Sequence, residues 1–250
     1  MSATPNIAYE KPGKYETTRL EKIHNVIFDN SISGSIAVAN EIATLIREKQ
    51  KTNSICVLGL ATGSSPIKVY EELIRLHKNE NLSFKNVVTF NLDEYYPMKA
   101  DNIQSYHYFM YEHLFGHIDI LPENVNIPKG DCTLEESLAL CSQYEDKIKK
   151  LGGIDFQLLG IGRTAHIGFN EPGSHQNSTT RMVTLDHLTR SDAASSFLGM
   201  ENVPKKAITM GISTVLEAKR IVLLAWGQNK AKVIQETIEA TRIKISEEEA

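Results

Sequence analysis

Three short stretches concentrate the residue types that can do chemistry. Residues 158–174 place His166 and Glu171 in a glycine-punctuated loop after an apolar run. An imidazole beside a carboxylate moves protons near neutral pH, the carboxylate fixing tautomer and orientation. A lone histidine is more often structural, but the Asn-Glu-Pro that follows this one favours chemistry. Asp93 and Glu94 end a second apolar run, residues 87–92. A carboxylate at the lip of a buried strand is desolvated and can be tuned into a general base. Taken alone, such a pair more often caps a helix or meets a cation. The third stretch, residues 59–66, reads Gly-Leu-Ala-Thr-Gly-Ser-Ser-Pro. Small residues there let backbone N–H groups converge, and a helix opening at Pro66 adds positive potential. Hydroxyls of Thr62, Ser64 and Ser65 around Gly63 add donors, which makes a phosphate cradle or an ordinary small-residue turn. Neither a Gly-Lys-Ser/Thr nucleotide loop nor a dinucleotide glycine fingerprint is present.

Other residues weigh less. Lys230 opens the last helix, where a mobile cation can reach an anionic group, although a solvated lysine is the default. His113 and His117 lie four apart without the carboxylate spacing of a zinc helix, so no metal is expected. Tyr95, Tyr96, Tyr106, Tyr108, Phe109 and Tyr111 are read as core and rim, with stacking on a ring as the alternative.

These loops need elements to hold them. Apolar strand patterns fall at residues 25–30, 55–60, 87–92, 154–161, 181–185, 207–211 and 220–227. Helical spacing appears between them: from Ser33 or Ser35 through Ile46, after Pro66, over 104–115, over 134–151 and over 230–240. Strand, loop and helix in alternation predict an α/β, three-layer, Rossmann-like domain with a mostly parallel central sheet. Ligands of such sheets bind beyond the carboxyl ends of the strands, where all three loops lie. Residues 1–24 read as an N-terminal extension, and residues 25–250 as a single domain.

Composition narrows the class. The 250 residues are 41% hydrophobic and 23% charged, which suits a globular chain and excludes a fibrous or coiled-coil one. A net charge of −4 offers no basic surplus for nucleic acid or a membrane surface. No apolar run is long enough to span a bilayer and no secretory signal is visible. Three cysteines suggest a reducing, cytoplasmic setting.

With these motifs in order, the sequence resembles the glucosamine-6-phosphate deaminase family from about residue 25 to about residue 240. The likeness rests on residues 58–66, 87–96, 158–174, 203–219 and 223–231. The Asn-Leu-Asp-Glu-Tyr-Tyr and His-Ile-Gly-Phe-Asn-Glu-Pro segments separate it from 6-phosphogluconolactonases. The resemblance implies isomerising deamination of glucosamine 6-phosphate to fructose 6-phosphate and ammonia. It implies His166 for ring opening, Glu171 to orient it, and Asp93 to carry a proton from C2 to C1. Gly63, Ser64, Ser65 and Lys230 match phosphate-holding positions, with Thr62 beside them, and Glu94 is an adjacent acid. No cofactor is expected. The partner implied is a small-molecule amino-sugar phosphate, and a homo-oligomer is anticipated.

Four departures stand out. Thr164 replaces an acidic partner of the histidine, and Ala165 replaces a glycine, where a left-handed backbone would be strained. A phosphate-binding arginine falls near Ser195, leaving Arg163 or Arg190 as stand-ins. Val183 replaces a lysine of a regulatory site in which Arg181 is kept. Residues 241–250 do not resemble the family's closing segment, so the chain is expected to lack it. The alternatives are a sugar-phosphate-binding domain without turnover and a lactonase of the same fold.

Overall fold

The architecture was obtained as a computed structural model that describes residues 23–239. The N-terminal extension expected over residues 1–24 lies outside these residues except for Ile23 and His24, as does the closing segment. Five strands build the central sheet: β1 (Cys56–Leu60), β2 (Val87–Asn91), β4 (Val125–Asn126), β5 (Phe156–Gly160) and β8 (Ile221–Leu224). Their order is β4-β2-β1-β5-β8, and every pairing is parallel. A second sheet, antiparallel, joins β3 (Asp93–Tyr96), β7 (Lys206–Thr209) and β6 (Arg181–Thr184).

Continuous apolar runs form the inner strands because both faces are covered. One face of the central sheet packs on α1 (Ser31–Lys51), α2 (Ile67–Glu80) and α3 (Tyr106–His113). Its core includes Ile42, Leu58, Leu73, Met110 and Phe156. The other face packs Val57, Phe90 and Leu159 on Ile148 of α4 (Leu134–Lys150) and Val215 of α6 (Ile212–Leu216). That is the three-layer arrangement the alternation predicts. Two further helices, α5 (His187–Ala193) and α7 (Ala231–Glu239), complete the described chain. No helix among the described residues is long and apolar enough to cross a membrane.

Local expectations required correction in four places. Residues 25–30 form no strand; Ile27 is 92% exposed and has no neighbouring strand to pair with. The cap of α1 is Asn30, not Ser33 or Ser35, its Oδ1 accepting from Ser33 N at 2.9 Å. Residues 93–96, read as a loop, pair with β7, so regular structure extends through the two carboxylates. The strands expected over 181–185 and 207–211 form as Arg181–Thr184 and Lys206–Thr209, but they pair antiparallel, outside the central sheet.

Candidate active site

Asp93 and Glu94 are neighbours on one short strand, and strand alternation sends their side chains to opposite faces. Glu94 is 2% exposed and its carboxylate is fully engaged. Oε1 accepts from Tyr95 N at 2.9 Å and Tyr106 N at 3.0 Å, and Oε2 from His107 N at 3.0 Å. It therefore holds the N-terminus of α3, where unpaired N–H groups and the helix dipole favour a carboxylate. Burial nevertheless pushes its pKa up to about 7, against those three hydrogen bonds. The helix-cap alternative for this acidic pair thus describes Glu94.

Asp93 has no such duty. It is 5% exposed, and among the described residues no donor reaches its carboxylate. Burial first, and the charge of Glu94 second, push its pKa up to about 8. The main chain opposite is kept bare by Gly168, where a Cβ would lie 3.2 Å from Asp93 Oδ2 and 2.9 Å from Thr209 Oγ1. Gly168 adopts φ +58°, and Phe169 N donates to Thr209 Oγ1 at 3.1 Å. Thr209 is itself the register partner of Asp93. One threonine thus ties the strand of Asp93 to the loop of His166.

That loop leaves β5 at Gly160 and folds back on itself, Gly162 N donating to His166 O at 2.9 Å. The imidazole lies across Gly162, where any Cβ would fall 2.1 Å from Nε2. Thr164 Oγ1 is 2.8 Å from Nδ1, and Glu171 Oε2 is 3.3 Å from the same nitrogen. Burial lowers the His166 pKa; Glu171 opposes that and Lys230 reinforces it. Ala165 sits at φ +64°, the left-handed conformation anticipated for this position. Asn170 pins the loop through Nδ2, which donates to Ile167 O at 2.9 Å and Met210 O at 2.8 Å.

The small-residue loop follows β1. Gly63 and Ser64 are exposed, Thr62 and Ser65 half-buried, and Gly63 has φ +90°. Trp226 Nε1 donates to Ser65 O at 3.1 Å, and the Tyr106 hydroxyl reaches the Thr62 side chain. Lys230 is not merely solvated, because Nζ donates to Ile161 O at 2.8 Å, just before Gly162. Tyr106 also packs on Tyr95 at 5.0 Å and Phe169 at 5.9 Å, linking cradle, acidic strand and histidine loop. Tyr95 is core, Tyr96, Tyr106 and Phe109 are half-buried, and Tyr108 and Tyr111 lie on the exposed rim, as the core-and-rim reading held.

The suggested arginine stand-ins are engaged elsewhere. Arg163 pairs with Asp192 at 2.8 Å on an exposed surface. Arg190 donates to Met200 O at 2.9 Å and Val203 O at 3.3 Å. Arg181 donates to Asn170 Oδ1 at 2.9 Å and Ser174 Oγ at 3.0 Å, beside a cleft of about 490 Å³ lined by Glu171, His175 and Thr184. His113 lies tilted against Phe109 with ring centroids 4.3 Å apart, and His117 Nε2 meets Glu112 O at 2.8 Å. No three His, Cys, Asp or Glu among the described residues are grouped to hold a metal.

Sequence reasoning missed Gly162, Gly168, Thr209 and Tyr106 as parts of this site. The two glycines follow a strand end in a loop already singled out, which was the available signal. Thr209 carried none, because its role depends on which strand pairs with Asp93.

Residues 33–246 match the family of glucosamine-6-phosphate isomerases and 6-phosphogluconolactonases. A glucosamine-6-phosphate deaminase-like protein of Bacteroides thetaiotaomicron is 49% identical over 235 residues, covering 94% of this chain and 35% of that protein. Glucosamine-6-phosphate deaminase 1 of Bacillus subtilis is 48% identical over 197 residues, 79% of each chain. A solved monomeric glucosamine-6-phosphate deaminase superposes with a TM-score of 0.80 at 45% identity, covering 85% of this chain and 86% of that one. The chain thus spans about a third of the Bacteroides relative and about four-fifths of the Bacillus one.

Proposed function

The chain belongs to the glucosamine-6-phosphate isomerase/6-phosphogluconolactonase family, and on that premise we propose that it converts glucosamine 6-phosphate to fructose 6-phosphate and ammonia. The observation that carries this reading is Asp93, a buried carboxylate that no donor among the described residues satisfies, set against the backbone of the histidine loop. A lactonase needs no carbon base, whereas an aldose–ketose isomerisation does.

The steps follow from the groups present. Neutral His166 accepts the C1 hydroxyl proton of the closed sugar and delivers a proton to the ring oxygen, opening the ring to the C1 aldehyde. Asp93 removes the C2 proton, which is acidified by that aldehyde, and the enolate oxygen takes a proton from the neighbouring ammonium, leaving an enol bearing the neutral amine. Returning the Asp93 proton to C1 gives an iminium at C2. Water adds there, ammonia leaves, and the C2 ketone of fructose 6-phosphate remains. The substrate's ammonium group beside Asp93 favours the carboxylate form that burial disfavours. Glu171 stabilises the imidazolium formed in the first step. The phosphate rests on Gly63, Ser64 and Ser65, with Lys230 as its cation and Thr62 and Tyr106 bracing the turn. No cofactor enters these steps.

A sugar-phosphate-binding domain without turnover is the second reading, favoured by the engagement of Arg163 and Arg190 away from an anion. Incubation with glucosamine 6-phosphate, reading ammonia and fructose 6-phosphate, separates the two. Stoichiometric ammonia is expected; saturable binding without ammonia sinks the deaminase reading. Cytoplasmic placement and self-association belong to this proposal. Three buried free cysteines suit a reducing compartment. Light scattering on the purified chain decides the assembly.

A further inference from the structure

Two partners compete for one atom of His166. Thr164 Oγ1 stands 2.8 Å from Nδ1 and Glu171 Oε2 stands 3.3 Å from it. Among the described residues, the buried Glu171 Oε2 makes no hydrogen bond, while Oε1 accepts from Asp186 N at 3.2 Å. An imidazole nitrogen carries either one proton or one lone pair. A lone pair at Nδ1 would face the unpartnered carboxylate oxygen, acceptor against acceptor, in a buried setting. A proton at Nδ1 satisfies the geometry, with the hydroxyl oxygen as its nearer acceptor and the carboxylate within charge range. The lone pair then falls on Nε2.

We propose that Thr164 is a positioning residue that takes the directional hydrogen bond of His166 and sets its ring angle, while the Glu171 carboxylate, an acceptor facing the same nitrogen, keeps the proton there and supplies charge. The inference rests on His166 as the ring-opening group of the reading above. Thr164 is delivered to the ring by its own turn. Ala165 N donates to Gly162 O at 3.1 Å and Gly162 N to His166 O at 2.9 Å, with Ala165 held left-handed between them. Backbone strain is thus kept at the residue joining orienter and oriented group.

The division of labour has an electrostatic consequence. The charged groups acting on the imidazole are Glu171, Asp192 and Asp186, which favour its cation, and Lys230, which opposes it. Asp192 is already paired with Arg163. A hydroxyl at position 164 gives the directional bond without a further negative charge. Burial holds the imidazole pKa below its ordinary value, and the lone pair at Nε2 is the one left to accept a proton.

The test is 15N NMR of histidine-labelled, ligand-free protein, with the His166 resonance assigned from His166→Gln. Wild type is expected to show the Nδ1–H tautomer. Thr164→Val should keep this tautomer but shift the Nδ1–H proton resonance and lower kcat by about tenfold, the loss of one hydrogen bond, with KM little changed. Thr164→Ser should restore both. Thr164→Asp should keep the tautomer and raise the imidazole pKa by about 1 unit or more. Glu171→Gln should lower that pKa and let the two tautomers mix, because its amide can donate to Nδ1. A folded Thr164→Val protein with the wild-type Nδ1–H resonance and kcat overturns the proposal, and so does the wild-type tautomer kept unmixed in Glu171→Gln. Because the spectra need no substrate, absence of ammonia from wild type would cost the deaminase reading and leave the tautomer result standing.

Discussion

Asp93 stands on a four-residue strand, paired residue for residue with β7, and its carboxylate is 5% exposed. His166 stands on an irregular loop closed by a few local hydrogen bonds, with a left-handed alanine next to it and its side chain 15% exposed. Both groups move protons in the proposed reaction, yet they are tuned in opposite directions. Burial raises the acid of Asp93 and lowers the base of His166, since in each case the charged form is the one desolvated. Among the described residues the strand leaves Asp93 without hydrogen-bond partners, and in the proposed reaction its basicity comes from burial. The loop gives His166 two partners at one nitrogen, and its reactivity comes from direction. A rigid, unpartnered base suits attack on a carbon acid, whose alignment must be held closely. A hydrogen-bonded imidazole suits exchange between two oxygens, where the proton can leave and return.

The contrast can be broken most sharply at Asp93. Asp93→Asn should lower kcat by ~10³-fold or more, the range of a lost general base. The same change should stabilise the protein. Below about pH 4 the carboxyl is protonated in both folded and unfolded chains and costs nothing. As pH rises toward about 8, the unfolded chain releases the proton while the folded one keeps it, so stability falls. The asparagine variant escapes this loss, and urea unfolding should show a gain of ~1–3 kcal/mol at pH 8 that shrinks toward pH 5. A gain independent of pH would mean that Asp93 is not desolvated as described.

Gly162→Ala probes the loop side. Its Cβ would fall 2.1 Å from His166 Nε2, so the ring must move. A displacement of ~1 Å should cost ~10²-fold in kcat, with substrate affinity largely kept because the cradle is on another loop. Equal losses in Gly162→Ala and in substrate binding would show that the two loops are not independent.

Ala165→Gly should have the smallest effect. Relief of the left-handed alanine is worth ~1 kcal/mol, offset by the larger entropy of glycine in the unfolded chain. The melting temperature should rise by about 1–2 °C. Activity should stay within about threefold if the strain only supports the turn. A larger loss would make the strained residue part of how Thr164 meets the ring.

How much of this was legible depended on how local each signal was. The inner strands of the central sheet were readable because residues buried on both faces leave continuous apolar runs such as 55–60 and 87–92. The strand Asp93–Tyr96 was not, because two acids and two tyrosines carry no apolar alternation and the strand exists only by pairing with β7. The stretch at 25–30 shows the reverse case, an apolar pattern without a partner strand. Strand 181–184 was readable as a strand, but its antiparallel direction depends on residues some 25 positions away.

Residue types, order and spacing by themselves determined the α/β class and the three loops, with the pair Asp93–Glu94, His166, Glu171 and Lys230 as candidates; the family resemblance singled out Asp93 and marked Thr164 and Ala165 as departures. These are properties of the chain read along its length. The tertiary structure alone decided that Glu94 caps α3 while Asp93 stays free, and that Arg163 and Arg190 are engaged elsewhere. It also decided that Thr164 comes nearer to His166 than Glu171 does. Those outcomes turn on which groups lie within hydrogen-bond reach once distant segments meet. Differences of half an ångström separate a partner from a neighbour, and no spacing along the sequence encodes them.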